Sequence, residues 1–125
     1  MKLILGIIRI SKMGETKQAL ADAGLPSFTA MPVLGRGQGH GDLEKIREAE
    51  SAAAEHALEF IPEVPRLKSK RMITLVVTDE KKELAVQTLL KANQTGKSGD
   101  GKIIVVETLD SFSVHTGESG NITLD

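Results

Sequence analysis

Met72-Ile73-Thr74-Leu75-Val76-Val77-Thr78 is the clearest strand signal in the chain, an apolar, β-branched run. Asp79 or Thr78 can cap a helix that runs on through Lys81, Leu84, Ala85, Thr88, Leu89 and Ala92. Thr95-Gly96-Lys97-Ser98-Gly99-Asp100-Gly101-Lys102 then forms a glycine loop, and Ile103-Ile104-Val105-Val106-Glu107-Thr108-Leu109 reads as the next strand. The same order stands at the N-terminus. Met1 to Ile10 is a buried-strand pattern, Ser11 to Gly24 a helix that Ser11 can cap and Gly24 can stop, with Met13, Thr16, Leu20 and Ala23 on one face. Ser27 to Leu34 is extended, with Phe28, Ala30 and Pro32 on one side and Thr29, Met31 and Val33 on the other. Pro32 donates no backbone hydrogen bond, which places that point at an edge, a bulge or an end.

Two strand-helix-strand halves in one chain predict an α+β, ferredoxin-like βαββαβ fold with a long loop between strands two and three. Two helices cover one face of a four-stranded sheet. Ile4, Ile8, Ile73, Leu75, Val77, Ile103 and Val105 exceed what two short helices can hide, so self-association is expected to bury that face.

At 125 residues the chain is expected to be a single domain, 1–125. It has no Cys, Trp or Tyr, and its aromatic residues are Phe28, Phe60 and Phe112 alone. Those absences exclude disulfide scaffolds, thiolate metal sites, cysteine nucleophiles, extended base-stacking platforms and control by tyrosine modification. A formal net charge of −1 gives no general attraction to nucleic acid. The first apolar run is too short to span a membrane and is broken by Arg9 and Lys12, so a cytoplasmic location is expected.

Between the halves, Gly35-Arg36-Gly37-Gln38-Gly39-His40-Gly41 alternates glycine in the manner of a loop. Asp42 to Phe60 turns helix-favouring, with a thin apolar stripe of Leu43, Ile46, Ala49 or Glu50, Ala53, Ala57 and Phe60, until Pro62 and Pro65 break it before the basic stretch Arg66 to Arg71. Such a helix depends on docking for stability. One reading of the segment is a solvated, disordered insertion. The other, which its length favours, is a ligand-switched loop whose helix folds on a target with Leu43, Ile46, Ala53, Ala57 and Phe60 as its docking face.

Within Thr95 to Lys102, glycines permit left-handed backbone whose N–H groups converge on phosphate oxygens, and Lys102 adds a point charge. The Gly-x4-Gly-Lys-Ser/Thr spacing of a P-loop is absent. A Gly-rich turn with solvated lysines fits the same residues equally well.

Thr95 to Val105, followed by His115-Thr116-Gly117-Glu118, resembles the C-terminal signature of the PII family of nitrogen regulatory proteins. Ile7-Ile8-Arg9, the Thr29 strand, Gly35 to Gly41 and the Lys70 to Val77 strand match that family as well. The resemblance implies a non-enzymatic, trimeric signal-transduction protein whose sheets line a central barrel, with ATP or ADP, Mg and 2-oxoglutarate as effectors in the clefts between subunits. It further implies a regulatory loop at 36–69, a nucleotide loop at 95–102 and a C-terminal tail at 110–125. By the same resemblance, Ile7, Thr29, Gly35, Gly37 and Val76 on one subunit and Gly99, Gly101 and Lys102 from the other build the nucleotide site, with His115 beside the phosphates. Arg9, Gln38, Gly39, Gly41 and Lys70 would serve 2-oxoglutarate, and Gln38 the Mg that accompanies ATP. The bland alternative for Arg9 and Lys70 is a pair of solvated strand-end charges.

The sequence departs from the family pattern in three places. Gly39 stands at the family's usual glutamine, with Gln38 one residue early. Ser113 and His115 stand where two arginines commonly reach phosphates. The long loop has no tyrosine, and its Ala- and Glu-rich middle, with Gly35-Arg36-Gly37 and Lys70-Arg71-Met72, resembles the nitrogen-fixation-cluster branch, whose members pair with a paralogous PII-like subunit and inhibit nitrogenase. Regulation of an ammonium transporter or a metabolic enzyme is the alternative within the family. A structural or metal-handling ferredoxin-like trimer is the alternative outside it.

Overall fold

The structure, a computed structural model, describes residues 1–37 and 67–125. β1 (Lys2–Ile8) leads through a short 3₁₀ turn, Ile10–Lys12, into α1 (Met13–Asp22) and then β2 (Thr29–Gly35). β3 (Lys68–Val77), a 3₁₀ turn at Asp79–Lys81, α2 (Lys82–Asn93) and β4 (Lys102–Glu107) repeat the pattern. The strands form one sheet in the order β2-β3-β1-β4, with every neighbouring pair antiparallel. This is the α+β, ferredoxin-like arrangement that the element order implied. β2 lies at the edge, as Pro32 requires, opposite Arg71.

Ile4, Ile8, Ile73, Leu75 and Val77 point from the two central strands into a core closed by Leu20 of α1, Ala85 and Leu89 of α2, and Leu25. Gly6 lies on the same side beneath α2, where a Cβ would make only ordinary contact with the Leu89 side chain at 3.5 Å. The expectation that this residue set needs self-association to be covered is therefore corrected. The helices hide most of it, Ile103 packs partly against it, and only Val105 stays well exposed. Strand alternation leaves bare the opposite set, Leu3, Leu5, Ile7, Met72, Val76, Ile104 and Val106, whose members lie in register across β3, β1 and β4.

Gly24 ends α1 as its sequence suggests. Its φ is +79°, the Gly24 amide donates to Ala21 O at 3.0 Å and the Leu25 amide to Leu20 O at 2.8 Å, which is the Schellman pattern with Leu25 buried behind it. Ser11 does not cap α1, because the 3₁₀ turn places Lys12 at that position, and neither Thr78 nor Asp79 supplies a side-chain cap for the second helical segment. Both helices enter through a tight turn whose backbone does the work a cap would do.

One polar pair lies between the helices. Asn93 Nδ2 donates to Thr16 Oγ1 at 3.0 Å and to Leu89 O at 2.9 Å, while Thr16 Oγ1 donates to Lys12 O at 2.7 Å. Both residues are buried, so these bonds set the register of α1 on α2 at little desolvation cost. Asn93→Ala should cost about 1–2 kcal/mol, from lost hydrogen bonds and a small void. Urea unfolding checks it, and an unchanged midpoint would contradict this role for the pair.

β3 begins earlier than the sequence suggests: Lys68 and Ser69, read as part of the 36–69 loop, pair with Gly35 and Leu34. Gln38, Gly39, Gly41 and the docking-face residues Leu43, Ile46, Ala53, Ala57 and Phe60 lie outside the described residues. At the C-terminus, Phe112 and Ser119 form a bridge around a turn at Gly117, and the Ser27 amide and hydroxyl each donate to the Asp125 carboxylate at 2.7 Å. Leu109, Phe112, Val114 and Ile122 remain exposed on this segment. No helix among the described residues is long and apolar enough to cross a membrane.

Candidate functional site

β1 and β2 run parallel on either side of β3, so the ends of β1 and β2 and the starts of β3 and β4 meet at one end of the sheet. Arg9 follows β1 there, Gly35 closes β2, Lys70 sits near the start of β3, and Lys102 opens β4 behind its glycine loop.

That loop is built around Asp100. Its carboxylate accepts from the Thr95 amide at 2.7 Å, the Gly96 amide at 2.9 Å and the Thr95 hydroxyl. Arg9 Nη2 reaches the same carboxylate at 3.1 Å and Ser98 O at 2.9 Å, while Lys70 Nζ donates to Gly99 O. The Thr95 hydroxyl and amide, then Arg9 and the Gly96 amide, hold the Asp100 carboxyl well below the usual carboxylate range. A depressed carboxyl contributes fully at neutral pH, and the contribution is lost only as pH falls below the ordinary value of 3.8 and through the folded one.

Gly96, Gly99 and Gly101 have φ of +82°, +94° and +111°, a backbone that L side chains rarely adopt. Nothing lies within 4 Å of a Cβ at Gly96, and one at Gly99 would stand 3.3 Å from Arg9 Nη2, but the decisive clash is at Gly101. A Cβ there would lie 1.7 Å from Ile7 O, so the loop rests directly on the β1 backbone. Burial, and after it the neighbouring Arg9 guanidinium, lowers the pKa of the Lys70 ammonium. Arg9 Nε is buried with no hydrogen-bond partner among the described residues. Two cations, an orphaned donor and a glycine backbone thus converge where a multiply charged anion would relieve their mutual repulsion.

The register shows which expected site residues meet. Ile7 pairs with Lys102 and rests under Gly101, so Ile7, Gly99, Gly101 and Lys102 belong together within one chain, not on opposite sides of a subunit boundary. Arg9 and Lys70 join them through the loop carbonyls, and are not the solvated strand-end charges of the bland alternative. Val76 shares the helix-free face with Ile7 but stands four residues along from Met72, Ile7's partner, about 13 Å away. At that separation the two do not face each other as two walls of one small site within a single chain. Thr29 pairs with Thr74 on the far edge strand, three strand spacings across and two residues along from Lys102, about 16 Å in all. Gly35 pairs with Lys68 and Gly37 follows it, at the Lys70 end. His115 lies exposed in the C-terminal turn.

Asp100 and Thr95 were missed as functional candidates. Their signal was present: a threonine that donates two hydrogen bonds, five residues before an aspartate, with glycines between, closes a loop on a carboxylate. No group of three His, Cys, Asp or Glu that could hold a metal occurs among the described residues.

The profile of the family described as Nitrogen regulatory protein P-II matches residues 1–118. Among curated proteins, the chain is 40% identical over 124 residues to the nitrogen fixation nifHD region GlnB-like protein 2 of Methanobacterium ivanovii, covering 96% of each. It is 38% identical to the protein of that description from Methanococcus maripaludis, over 99% of this chain and all of the relative. The nitrogen regulatory protein P-II of Klebsiella oxytoca is 34% identical, over 99% of this chain and all of its own.

Proposed function

The chain belongs to the nitrogen regulatory protein P-II family, and on that premise we propose that it senses nitrogen status by binding ATP or ADP with Mg and 2-oxoglutarate, and controls nitrogenase through its long loop. The observation that carries this reading is the convergence of Arg9, Lys70, Lys102 and the glycine loop at one end of the sheet. Loop amides and Lys102 suit phosphates, Ile7 offers an apolar contact to the nucleoside, and Lys70 suits a carboxylate of 2-oxoglutarate. By the family resemblance Gln38 would hold the Mg that accompanies the nucleotide, and Gln38, Gly39 and Gly41 would serve 2-oxoglutarate. His115 stands by the phosphates from the C-terminal segment 110–125.

Thr29 at the far edge is supplied to this site by a neighbouring copy. A site divided between opposite edges of one sheet is completed by head-to-tail association, which closes into a ring. The helix-free apolar face supplies the contact that such a ring buries. The assembly is a trimer or a mixed oligomer with a paralogous PII-like subunit, acting in the cytoplasm as a regulator and not as an enzyme. The nifHD-region names of its relatives support nitrogenase as the target.

Gly35 and Gly37 tie the ligand end of the sheet to the base of the 36–69 loop. Ligands therefore select among loop states, by no more than their difference in affinity for them, and the apolar stripe from Leu43 to Phe60 docks in one state only.

Lys70→Ala should weaken 2-oxoglutarate binding in the presence of Mg-ATP by about 10–100-fold, the worth of one charge-assisted hydrogen bond. Calorimetry reads it, and an unchanged affinity rejects the role. Pull-down of nitrogenase components with and without 2-oxoglutarate tests the target. Capture that ignores the effector counts against nitrogenase, and capture of an ammonium transporter instead would move the assignment.

A further inference from the structure

We infer that Asp100 is the positioning residue of the nucleotide loop: it sets affinity for a polyphosphate without touching it, by holding Thr95 and Gly96 on one side and Arg9 on the other. The inference rests on the nucleotide reading above and adds a residue to it.

The Asp100 side chain spans the loop from within. Two backbone amides and one hydroxyl at its start donate to the carboxylate, and the Arg9 guanidinium, anchored after β1, closes the remaining side. With those amides engaged, residues 97–101 form an arch whose glycines hold left-handed backbone at positions 99 and 101. Lys70 and Arg9 engage the carbonyls of Gly99 and Ser98, and with these acceptors taken up the arch is left to offer donors. Preformed donors need no reordering when an anion arrives, and removal of the template makes binding supply that ordering itself. Asp100 is also poorly placed as a direct ligand. A carboxylate repels phosphate oxygens, and this one already has four donors.

Arg9 acquires a different role from that of an effector ligand alone. Its Nη2 is committed to the loop, so its charge acts chiefly on Asp100 while Lys70 is the cation a dicarboxylate can claim. When the effector takes Lys70, Gly99 O loses its partner, and the Arg9–Asp100 link is what then keeps the loop in shape.

The test uses the full chain, as the oligomer it forms, in four variants: Asp100→Asn, Thr95→Val, Thr95→Ser, and Thr95→Val with Asp100→Asn. ATP and inorganic triphosphate affinities are measured by calorimetry, and amide hydrogen exchange is followed in the ligand-free protein. Asp100→Asn should weaken ATP and triphosphate alike by about 10–30-fold, and Thr95→Val by about 5–10-fold. Thr95→Ser, which keeps the hydroxyl, should stay within twofold of wild type, and the double variant should be little worse than Asp100→Asn. Exchange at Thr95 and Gly96 should accelerate in Asp100→Asn while the core amides of β1 and β3 stay protected. ATP affinity unchanged in Asp100→Asn overturns the inference, as does loss of core protection, which would make the residue a scaffold element. If wild type binds neither probe, the nucleotide reading fails and the affinity half of this inference with it. Exchange at Thr95 and Gly96 unaltered by Asp100→Asn refutes the loop half independently of any ligand.

Discussion

Gly101→Ala should lose nucleotide binding and unfold about 10–15 °C below wild type. The added methyl would meet Ile7 O at 1.7 Å and the Ile7 carbonyl carbon at 2.9 Å, both backbone atoms of a central strand that have nowhere to move. The backbone itself is at φ +111°, which adds strain for any residue with a Cβ. Together these cost about 3 kcal/mol or more, and relief requires the loop to lift from β1 and so release Lys102 from its place opposite Ile7. Gly96→Ala provides the comparison. Its φ of +82° carries the same kind of strain, but nothing lies within 4 Å of the added atom, so about 1–2 kcal/mol and a few degrees are expected. Thermal melts of the two variants decide the matter: equal losses would mean that backbone conformation alone, and not contact with β1, requires glycine at this position.

Leu5→Glu should reduce the assembly to monomers and abolish nucleotide binding with it. Leu5 lies at the middle of the helix-free face, between Thr74 on β3 and Ile104 on β4. In a ring of three copies each interface would bury a carboxylate without a partner, at several kcal/mol per copy, which exceeds what a small apolar patch returns. The variant monomer keeps its core, because Leu5 points away from α1 and α2. Val106→Glu, at the more exposed edge strand and 40% accessible, guards against a folding defect at the centre. Sedimentation equilibrium with circular dichroism reads both. A folded Leu5→Glu that keeps its oligomeric mass contradicts burial of this face, and a monomeric wild type contradicts the proposed assembly.

Strand and helix identities were legible because each half carries its own punctuation. Gly24 stops α1 through its φ, Pro32 marks the edge strand, and the run Met72 to Val77 admits no other reading. The face of the sheet that needs a partner was not legible. Alternation tells which residues share a side, but Ile4 and Leu5 are equally apolar, and only the packing of α1 and α2 reveals which is covered. The helix caps differ for a related reason, since a 3₁₀ entry turn moves the cap position onto a lysine in both helices, one residue past Ser11 in α1 and two or three past Asp79 or Thr78 in α2.

The glycine loop shows where the two kinds of information divide. Its glycines, its lysine and its likeness to a family signature are properties of the order of residues, and they suffice to name the fold and the family. That Asp100 closes on Thr95 and Gly96 is local. That Arg9 holds Asp100 and Ser98 O, and that Ile7 lies beneath the loop in the same chain rather than across a boundary, are matters of register between segments about ninety residues apart in sequence. The Lys70 bond to Gly99 O joins β3 to the loop across 29 residues. The sequence by itself determined the elements, because helix, strand and turn preferences act over a few neighbours. Only the tertiary structure decided the partners, because hydrogen bonds and close approaches depend on which strand ends meet, and no local pattern encodes that.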